Sequence, residues 1–111
     1  MAQDLGKTST GMNANVEALL SYLLGFITGI IFYLIEKENK FVRFHAMQSM
    51  VTFGAFFVLF FILMFIPILG WMLAGLLQIL SLVIWIVLMV KAFQGEYFKL
   101  PVIGNLAEQN S

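Results

Sequence analysis

The fold is decided by residues 49–90, SMVTFGAFFVLFFILMFIPILGWMLAGLLQILSLVIWIVLMV, which contain no Asp, Glu, Lys or Arg. Two backbone-breaking residues, Pro67 and Gly70, interrupt this apolar run near its middle. Pro67 disfavours helix in the residue before it, and Gly70 permits a backward bend. The run is otherwise too long and too continuous for β-strands, which usually end after a few residues. We therefore predict two apolar helices that form an antiparallel hairpin.

A third apolar run precedes the hairpin. Residues 16–35, 49–66 and 71–90 each contain twelve residues drawn from Leu, Ile, Val and Phe. Each window therefore gains about 4 to 7 kcal/mol on a membrane-insertion scale before its polar residues are counted. Twenty helical residues also span roughly the 30 Å hydrocarbon core of a bilayer. The sequence predicts an all-α membrane protein with three transmembrane helices, at about 16–35, 43–66 and 71–91.

Composition supports a membrane-embedded chain. Of the 111 residues, 61% are hydrophobic and only 11% are charged, whereas soluble domains carry about a quarter charged residues. We predict a polar amino-terminal tail (1–12), one transmembrane domain (13–92) and a cytoplasmic tail along the membrane surface (93–111). The six basic and six acidic residues form no dense run, so nucleic acid is not expected as a partner. The absence of Cys excludes disulfides and thiol chemistry.

The basic residues predict an orientation. With three spans, the first loop and the carboxyl-terminal tail share one side of the membrane, and only Lys7 lies on the other. The shared side would hold Lys37, Lys40, Arg43, Lys91 and Lys99. Because cytoplasmic loops are enriched in Lys and Arg, we expect a multi-pass protein of the plasma membrane with its amino terminus outside and its carboxyl terminus in the cytoplasm.

The second predicted helix carries polar residues at spacings that place them on one helical face. These residues are His45, Gln48, Ser49 and Thr52, and Arg43 lies just before them. One interpretation is a polar vestibule or binding site at the cytoplasmic boundary, where His45 could titrate. The other is a stripe that packs against a second helix and shares hydrogen bonds with it. With no Cys and a single His, we expect neither a metal nor a cofactor.

Small residues predict helix packing. Ser21, Gly25 and Gly29 recur every four residues in the first window, a pattern that lets helix backbones approach closely in lipid. In the third window we expect Gln78 to face the interior of the bundle and to hydrogen-bond there. The expected partners are therefore the lipid bilayer and other membrane proteins, most simply further copies of the same chain.

Four motifs carry a resemblance to a known family. They are YLLGFITG at 22–29, IEKENKFVRFHAMQS at 35–49, FIPILGW at 65–71 and GEYFKLP at 95–101. On these motifs the chain resembles a widespread bacterial and archaeal membrane family of unknown function. That family is distantly similar to the inner-envelope import component of the chloroplast translocon, a proposed protein-conducting channel subunit. The chloroplast proteins are described with four spans, and three are predicted here.

Three functional hypotheses follow. The first is a non-enzymatic, oligomeric component of a channel or translocon-like complex, because helix-packing residues are present without a catalytic constellation. The second is a small enzyme at the lipid headgroup level that uses Arg43, His45 and Gln48, where Arg43 could hold a phosphate. The third is a membrane subunit that binds and regulates a larger partner.

Overall fold

The regular secondary structure of the chain is helical. A computed structural model describes residues 5–111. Five helices follow one another along the chain: α1 (Ala14–Leu23), α2 (Phe26–Ile35), α3 (Lys40–Leu63), α4 (Leu69–Phe93) and α5 (Ile103–Gln109). The all-α class predicted from the sequence is confirmed.

The predicted first span is not one continuous helix. It is broken at Gly25, whose φ of 65° and ψ of −134° lie outside the range open to most L-residues. The helices on either side, α1 and α2, have ten residues each and are therefore about 15 Å long. That is about half the thickness of the hydrocarbon core. The expectation of three membrane-crossing helices is therefore not met by this segment.

Helices α1 and α2 fold back on each other as a short hairpin. Next to the break, the Thr28 hydroxyl donates to the carbonyl oxygen of Ser21 at 3.1 Å. At the open end, the adjacent residues Ser9 and Thr10 hydrogen-bond to Glu36 and Glu17, respectively. The chain thus returns to the side from which it entered. No periodicity in the sequence predicts this hairpin, because an apolar run has the same pattern whether the helix is straight or broken.

Helices α3 and α4 form the predicted long hairpin. They have 24 and 25 residues, about 36 and 37 Å, and both are long and apolar enough to cross a membrane. Asn39 caps α3 by accepting a hydrogen bond from the backbone N–H of Val42 at 3.0 Å. This cap explains why α3 begins three residues earlier than the predicted 43.

A repeated pentapeptide begins the last two helices. Ile66-Pro67-Ile68-Leu69-Gly70 and Leu100-Pro101-Val102-Ile103-Gly104 share the pattern of a branched residue, Pro, two branched residues and Gly. In both copies the residue after Pro has a φ of 65°, and the next N–H donates back to the Pro carbonyl oxygen at 2.7 and 2.6 Å. Each copy is therefore a γ-turn that starts a helix.

The glycine of each pentapeptide permits a close approach. A Cβ at Gly70 would collide with the Leu63 carbonyl oxygen, and one at Gly104 would collide with the side chain of Lys99. These glycines are therefore required by packing rather than by their φ angles.

The buried core lies at one end of the molecule. Its apolar members come from α1, the start of α3 and the end of α4: Ala14, Ala18, Tyr22, Phe41, Val42, Leu88 and Ala92. Towards the turn between α3 and α4, no third helix covers the pair among the described residues. In the most apolar stretches of α3 and α4, only 22% and 11% of residues are buried. A protein surrounded by water rarely leaves so much apolar surface uncovered.

Both described ends of the chain also lie at that buried end. The side chain of Asn39 donates to the carbonyl oxygens of Leu5 and Lys7, and that of Asn15 donates to Phe93 O at the end of α4. The hairpin at Gly25 accounts for this arrangement, because it returns the chain to its starting side before α3 begins. The placement of the two tails relative to a membrane stays a prediction.

Candidate functional site

The polar stripe of α3, defined as His45, Gln48, Ser49 and Thr52, is fully packed inside the protein. All four residues are at most 2% exposed, and they face α1, the Gly25 break and the segment that follows α4. The sequence correctly placed them on one helical face. Of the two interpretations that it left open, packing with shared hydrogen bonds describes this stripe.

Tyr22 of α1 is the centre of the hydrogen-bond network. Its hydroxyl lies 2.6 Å from His45 Nδ1 and accepts a hydrogen bond from Gln48 Nε2 at 3.0 Å. The other ring nitrogen of His45 lies 2.8 Å from Glu96 O, which can only accept, so Nε2 carries the proton. A neutral ring with Nδ1 accepting from the Tyr22 hydroxyl satisfies every group in this chain of contacts.

Gln48 holds the segment that follows α4. Its Nε2 also donates to Phe98 O at 2.9 Å, and its Oε1 accepts from the backbone N–H of Leu100 at 3.0 Å. The Gln48 side chain thus donates to one backbone group of residues 96–100 and accepts from another, as the backbone of a neighbouring β-strand would. Part of the predicted tail, residues 96–100, is thus attached to the stripe, and its location along the membrane surface stays a prediction.

The break in the first apolar run is sealed by side chains from both long helices. Ser49 donates to Gly25 O at 2.8 Å, and Trp85 of α4 donates to Tyr22 O at 2.6 Å. A break inside a membrane protein is tolerated when neighbours bond the freed backbone groups. The buried hydroxyl of Thr52 is different, because its oxygen has no hydrogen-bond partner within residues 5–111.

The small residues of the first window do approach other elements closely. A Cβ at Gly29 would come within 2.9 Å of Ala46 O, so only glycine allows α2 to lie this near α3. Gly25 packs on Phe53. Ser21 is buried and donates to Glu17 O within its own helix at 3.0 Å.

Arg43 belongs to a different cluster from the stripe. Its Nη1 donates to Tyr33 O at 3.0 Å, and its Nε donates to Ser111 O at 2.9 Å. The guanidinium also lies 3.9 Å from the centre of the Tyr33 ring, as a cation–π contact. The five residues singled out from the sequence therefore fall into two groups, both of which bind other parts of the chain.

Gln78 is exposed on α4 rather than turned towards the interior. Its depth along the helix is as expected, but in this hairpin its face of α4 has no helix of the same chain against it. The expected hydrogen bond within the bundle is therefore absent from the described residues. Its role in helix packing stays a prediction.

A pair of buried carboxyl groups was missed by the sequence analysis. Glu17 and Glu36 are at most 1% exposed. The backbone N–H of Ser9 donates to both carboxylate oxygens of Glu36 at 2.8 Å, and Thr10 donates to Glu17. In the sequence both residues looked like ordinary helix-end charges. Only the return of α2 beside α1 brings them together.

The two carboxyl groups have opposite pKa shifts. Burial raises the pKa of Glu17 to about 7, and the neighbouring Glu36 adds to that rise. Burial also acts to raise the pKa of Glu36, but its interaction with Glu17 and the hydrogen bonds from Ser9 outweigh it, so the pKa falls below the usual value. Near pH 7, Glu36 is therefore ionised and Glu17 is about half protonated.

The described residues contain no cluster of three or more His, Cys, Asp or Glu side chains suited to a metal ion. The cap, defined as the polar stripe with Tyr22, residues 96–100 and the Glu17–Glu36 pair, is built from groups that bond to one another. Together with two long apolar helices, it defines a small helical protein with a membrane type of surface and a hydrogen-bonded polar end.

Comparison with known proteins gives the family. Residues 7–107 match the magnetosome magnetite crystal formation protein family, so the chain belongs to it. It is 58% identical over 107 residues to a UPF0132 membrane protein of Methanocaldococcus jannaschii, with 96% of each chain covered. It is 52% identical over 98 residues to a UPF0132 membrane protein of Archaeoglobus fulgidus, covering 88% of this chain and 95% of that one.

A more distant relative is named magnetosome protein MmsF, from Paramagnetospirillum magneticum. It is 28% identical over 109 residues, covering 98% of this chain and 99% of that protein. No solved structure matches the chain. The resemblance to a prokaryotic membrane family is confirmed, whereas the comparisons give no support for a relationship to the chloroplast import component.

Proposed function

We propose that this protein is a non-enzymatic assembly component of the plasma membrane, which works by associating with further copies of itself. One observation carries the proposal: the polar groups are used inside the cap, whereas the apolar flanks of α3 and α4 are left uncovered. A protein built in this way offers neighbouring membrane helices a large surface. It offers a substrate few free polar groups.

The contacts of the cap argue for structure rather than catalysis. Both ring nitrogens of His45 are hydrogen-bonded, and both ends of the Gln48 amide are occupied by Tyr22, Phe98 and Leu100. Arg43 is bonded to carbonyl oxygens of the same chain. A headgroup-level enzyme that used these three residues would first have to break these bonds.

The charge distribution supports a topology with two spans. Every Lys and Arg lies near the capped end, in the segments before α1, between α2 and α3, early in α3, or at and after the end of α4. No Lys or Arg lies from residue 44 to residue 90. Under the positive-inside rule, α3 and α4 cross the membrane, the α1–α2 hairpin enters and leaves from the cytoplasmic side, and both tails are cytoplasmic.

This topology is tested with single cysteines, because the natural sequence contains none. Thr8→Cys and Glu108→Cys should be protected from a membrane-impermeant maleimide in intact cells and labelled after the cells are opened. Ile66→Cys, in the turn between α3 and α4, should be labelled from outside. Labelling of Thr8→Cys in intact cells would restore the three-span topology with an external amino terminus.

A pore is possible only in an assembly. One chain contributes two long helices, and its buried polar groups lie at the capped end instead of along a path through the membrane. A channel-like or translocon-like role, or a role as the binding subunit of a larger complex, therefore requires partners around this chain.

The assembly itself is tested by counting subunits in lipid. We expect purified protein in nanodiscs to contain two or more copies when disc area allows it. Reconstituted liposomes then report whether the assembly conducts ions. A single copy per disc at every protein-to-lipid ratio, without conductance above empty liposomes, would contradict the proposal.

A further inference from the structure

One polar side chain lies on the uncovered part of α4, away from the cap. Gln78 is exposed, about 13 Å along the helix from Leu69 and about 22 Å from Phe93. In the two-span topology it sits well inside the hydrocarbon core and faces lipid. Acyl chains offer it neither a donor nor an acceptor.

The amide of Gln78 is nearly without partners in its own chain. The Ser81 hydroxyl donates to the backbone oxygen of Gln78 at 3.0 Å and reaches its Oε1 only at 3.5 Å. Within residues 5–111, Nε2 has no acceptor. Polar groups in a membrane interior normally obtain their partners from neighbouring helices. An exposed amide at this depth therefore points to a helix that is not part of this chain.

The surface around Gln78 contains a groove against which a helix can pack. A groove of about 460 Å³ beside it is lined by Phe53, Gln78, Ile79, Ser81, Leu82 and Trp85. One turn away on the same face, Gly75 is bare, since a Cβ there would meet nothing within 4 Å. Gly75, Gln78 and Leu82 follow the spacing of three and four residues of one helical face. A small residue next to a polar one is typical of helix contacts in membranes.

We propose that a second copy of this chain docks on this face, through a two-fold α4–α4 contact in which the two Gln78 amides hydrogen-bond to each other. A carboxamide is self-complementary, because it carries both an acceptor oxygen and donor hydrogens. A two-fold axis along the membrane normal keeps both copies at the same depth, so Gln78 meets Gln78. The inference rests on the proposed assembly role and names its partner and surface.

The test compares leucine substitutions of two glutamines, Gln78 within α4 and Gln94 just beyond its end. Gln78→Leu should weaken dimerisation in lipid at least tenfold, measured by subunit counting while protein is diluted into excess lipid. Gln94→Leu, which removes an exposed amide just beyond the end of α4, should change it less than twofold. Gln78→Asn keeps an amide and should retain most of the wild-type association. Thermal unfolding of each variant checks that the cap is intact.

Cysteine crosslinking locates the contact independently of those substitutions. Leu82→Cys should form a disulfide-linked dimer in membranes, and Leu80→Cys, exposed on another face of α4, should not. If wild type and Gln78→Leu dimerise equally and Leu82→Cys fails to crosslink, the assembly stands but this surface is wrong. If the wild type is a single copy at every dilution, the assembly role fails as well.

Discussion

The capped end and the opposite end of the α3–α4 hairpin differ in how their side chains are covered and hydrogen-bonded. At the capped end, four elements and the segment after α4 surround the polar stripe, and nearly every buried polar atom is hydrogen-bonded within the chain. At the other end two helices stand alone, and their side chains are covered by whatever surrounds them. The difference teaches that, among the described residues, most polar side chains of the capped end are hydrogen-bonded to other elements of the chain, whereas the Gln78 amide of α4 has no such partner.

The largest expected effect is the loss of Gln48. Gln48→Leu would leave the Phe98 carbonyl and the Leu100 N–H without their partner and would shorten the Tyr22 network. We expect a loss of about 2 to 4 kcal/mol in the free energy of unfolding in mixed micelles. The segment at 96–100 should also become sensitive to protease.

Gln94→Leu is the matched control, since Gln94 is exposed and away from the stripe, and it should change stability by less than about 0.5 kcal/mol. An equal response of the two variants would remove the distinction between the capped end and the exposed surface.

The next effect compares two glycines. Gly29→Ala forces a Cβ to within 2.9 Å of Ala46 O and should destabilise the protein by about 1 to 3 kcal/mol. Gly54→Ala, in α3, places its Cβ in open space and should be neutral or stabilise α3 by about 0.5 kcal/mol. Unfolding by denaturing detergent measures both. A stable Gly29→Ala variant would show that α2 does not pack closely on α3.

A smaller effect, of opposite sign, is expected within the stripe. Thr52 has a buried hydroxyl oxygen without a hydrogen-bond partner in the part of the chain that the structure describes, so Thr52→Val should stabilise the protein by about 1 kcal/mol. Ser49→Ala removes the bond to Gly25 O and should destabilise it by about the same amount. Thermal unfolding of the two variants and wild type measures both changes in stability. Destabilisation by Thr52→Val would show that the Thr52 hydroxyl is hydrogen-bonded.

The smallest expected effect is the pH dependence from Glu17. Its pKa is raised in the folded state to about 7, so its stabilising contribution is full below its unfolded pKa of about 4.5 and is lost as pH rises through about 7. Between pH 5 and pH 8, wild type should therefore lose stability relative to Glu17→Gln.

The melting temperatures of the two proteins across that pH range provide the test. Glu38→Gln changes an exposed carboxyl and should run parallel to wild type throughout. Parallel curves for Glu17→Gln and wild type would place the Glu17 carboxyl in water.

The fold was predictable where short-range sequence patterns determine it. The helical class, the hairpin at Pro67 and Gly70 and the common face of His45, Gln48 and Ser49 all follow from local spacing. The break at Gly25 did not, because a glycine repeat fits close packing and a bend equally well. Both uses occur here: Gly29 permits contact with α3, and Gly25 permits the turn.

The candidate site was only half predictable for the same reason. His45 and Gln48 were visible because they interrupt an apolar helix. Their main partner Tyr22 and the carboxyl groups of Glu17 and Glu36 carry no comparable signal, because neither an aromatic residue nor a charge near a helix end is unusual in a membrane helix. Contacts between residues 19 or more positions apart depend on how the helices are placed, and spacing within one helix carries no information about that placement.

The sequence by itself determined that this chain is helical, that two long segments are apolar enough for a membrane, and that residues 44–90 contain no Asp, Glu, Lys or Arg. These properties depend on composition and local period. Only the tertiary structure decided that the first apolar run folds back, that both tails meet at the capped end, and that Gln78 is left exposed. All three features depend on the direction that the chain takes after Gly25, and packing against α3 and α4 determines that direction.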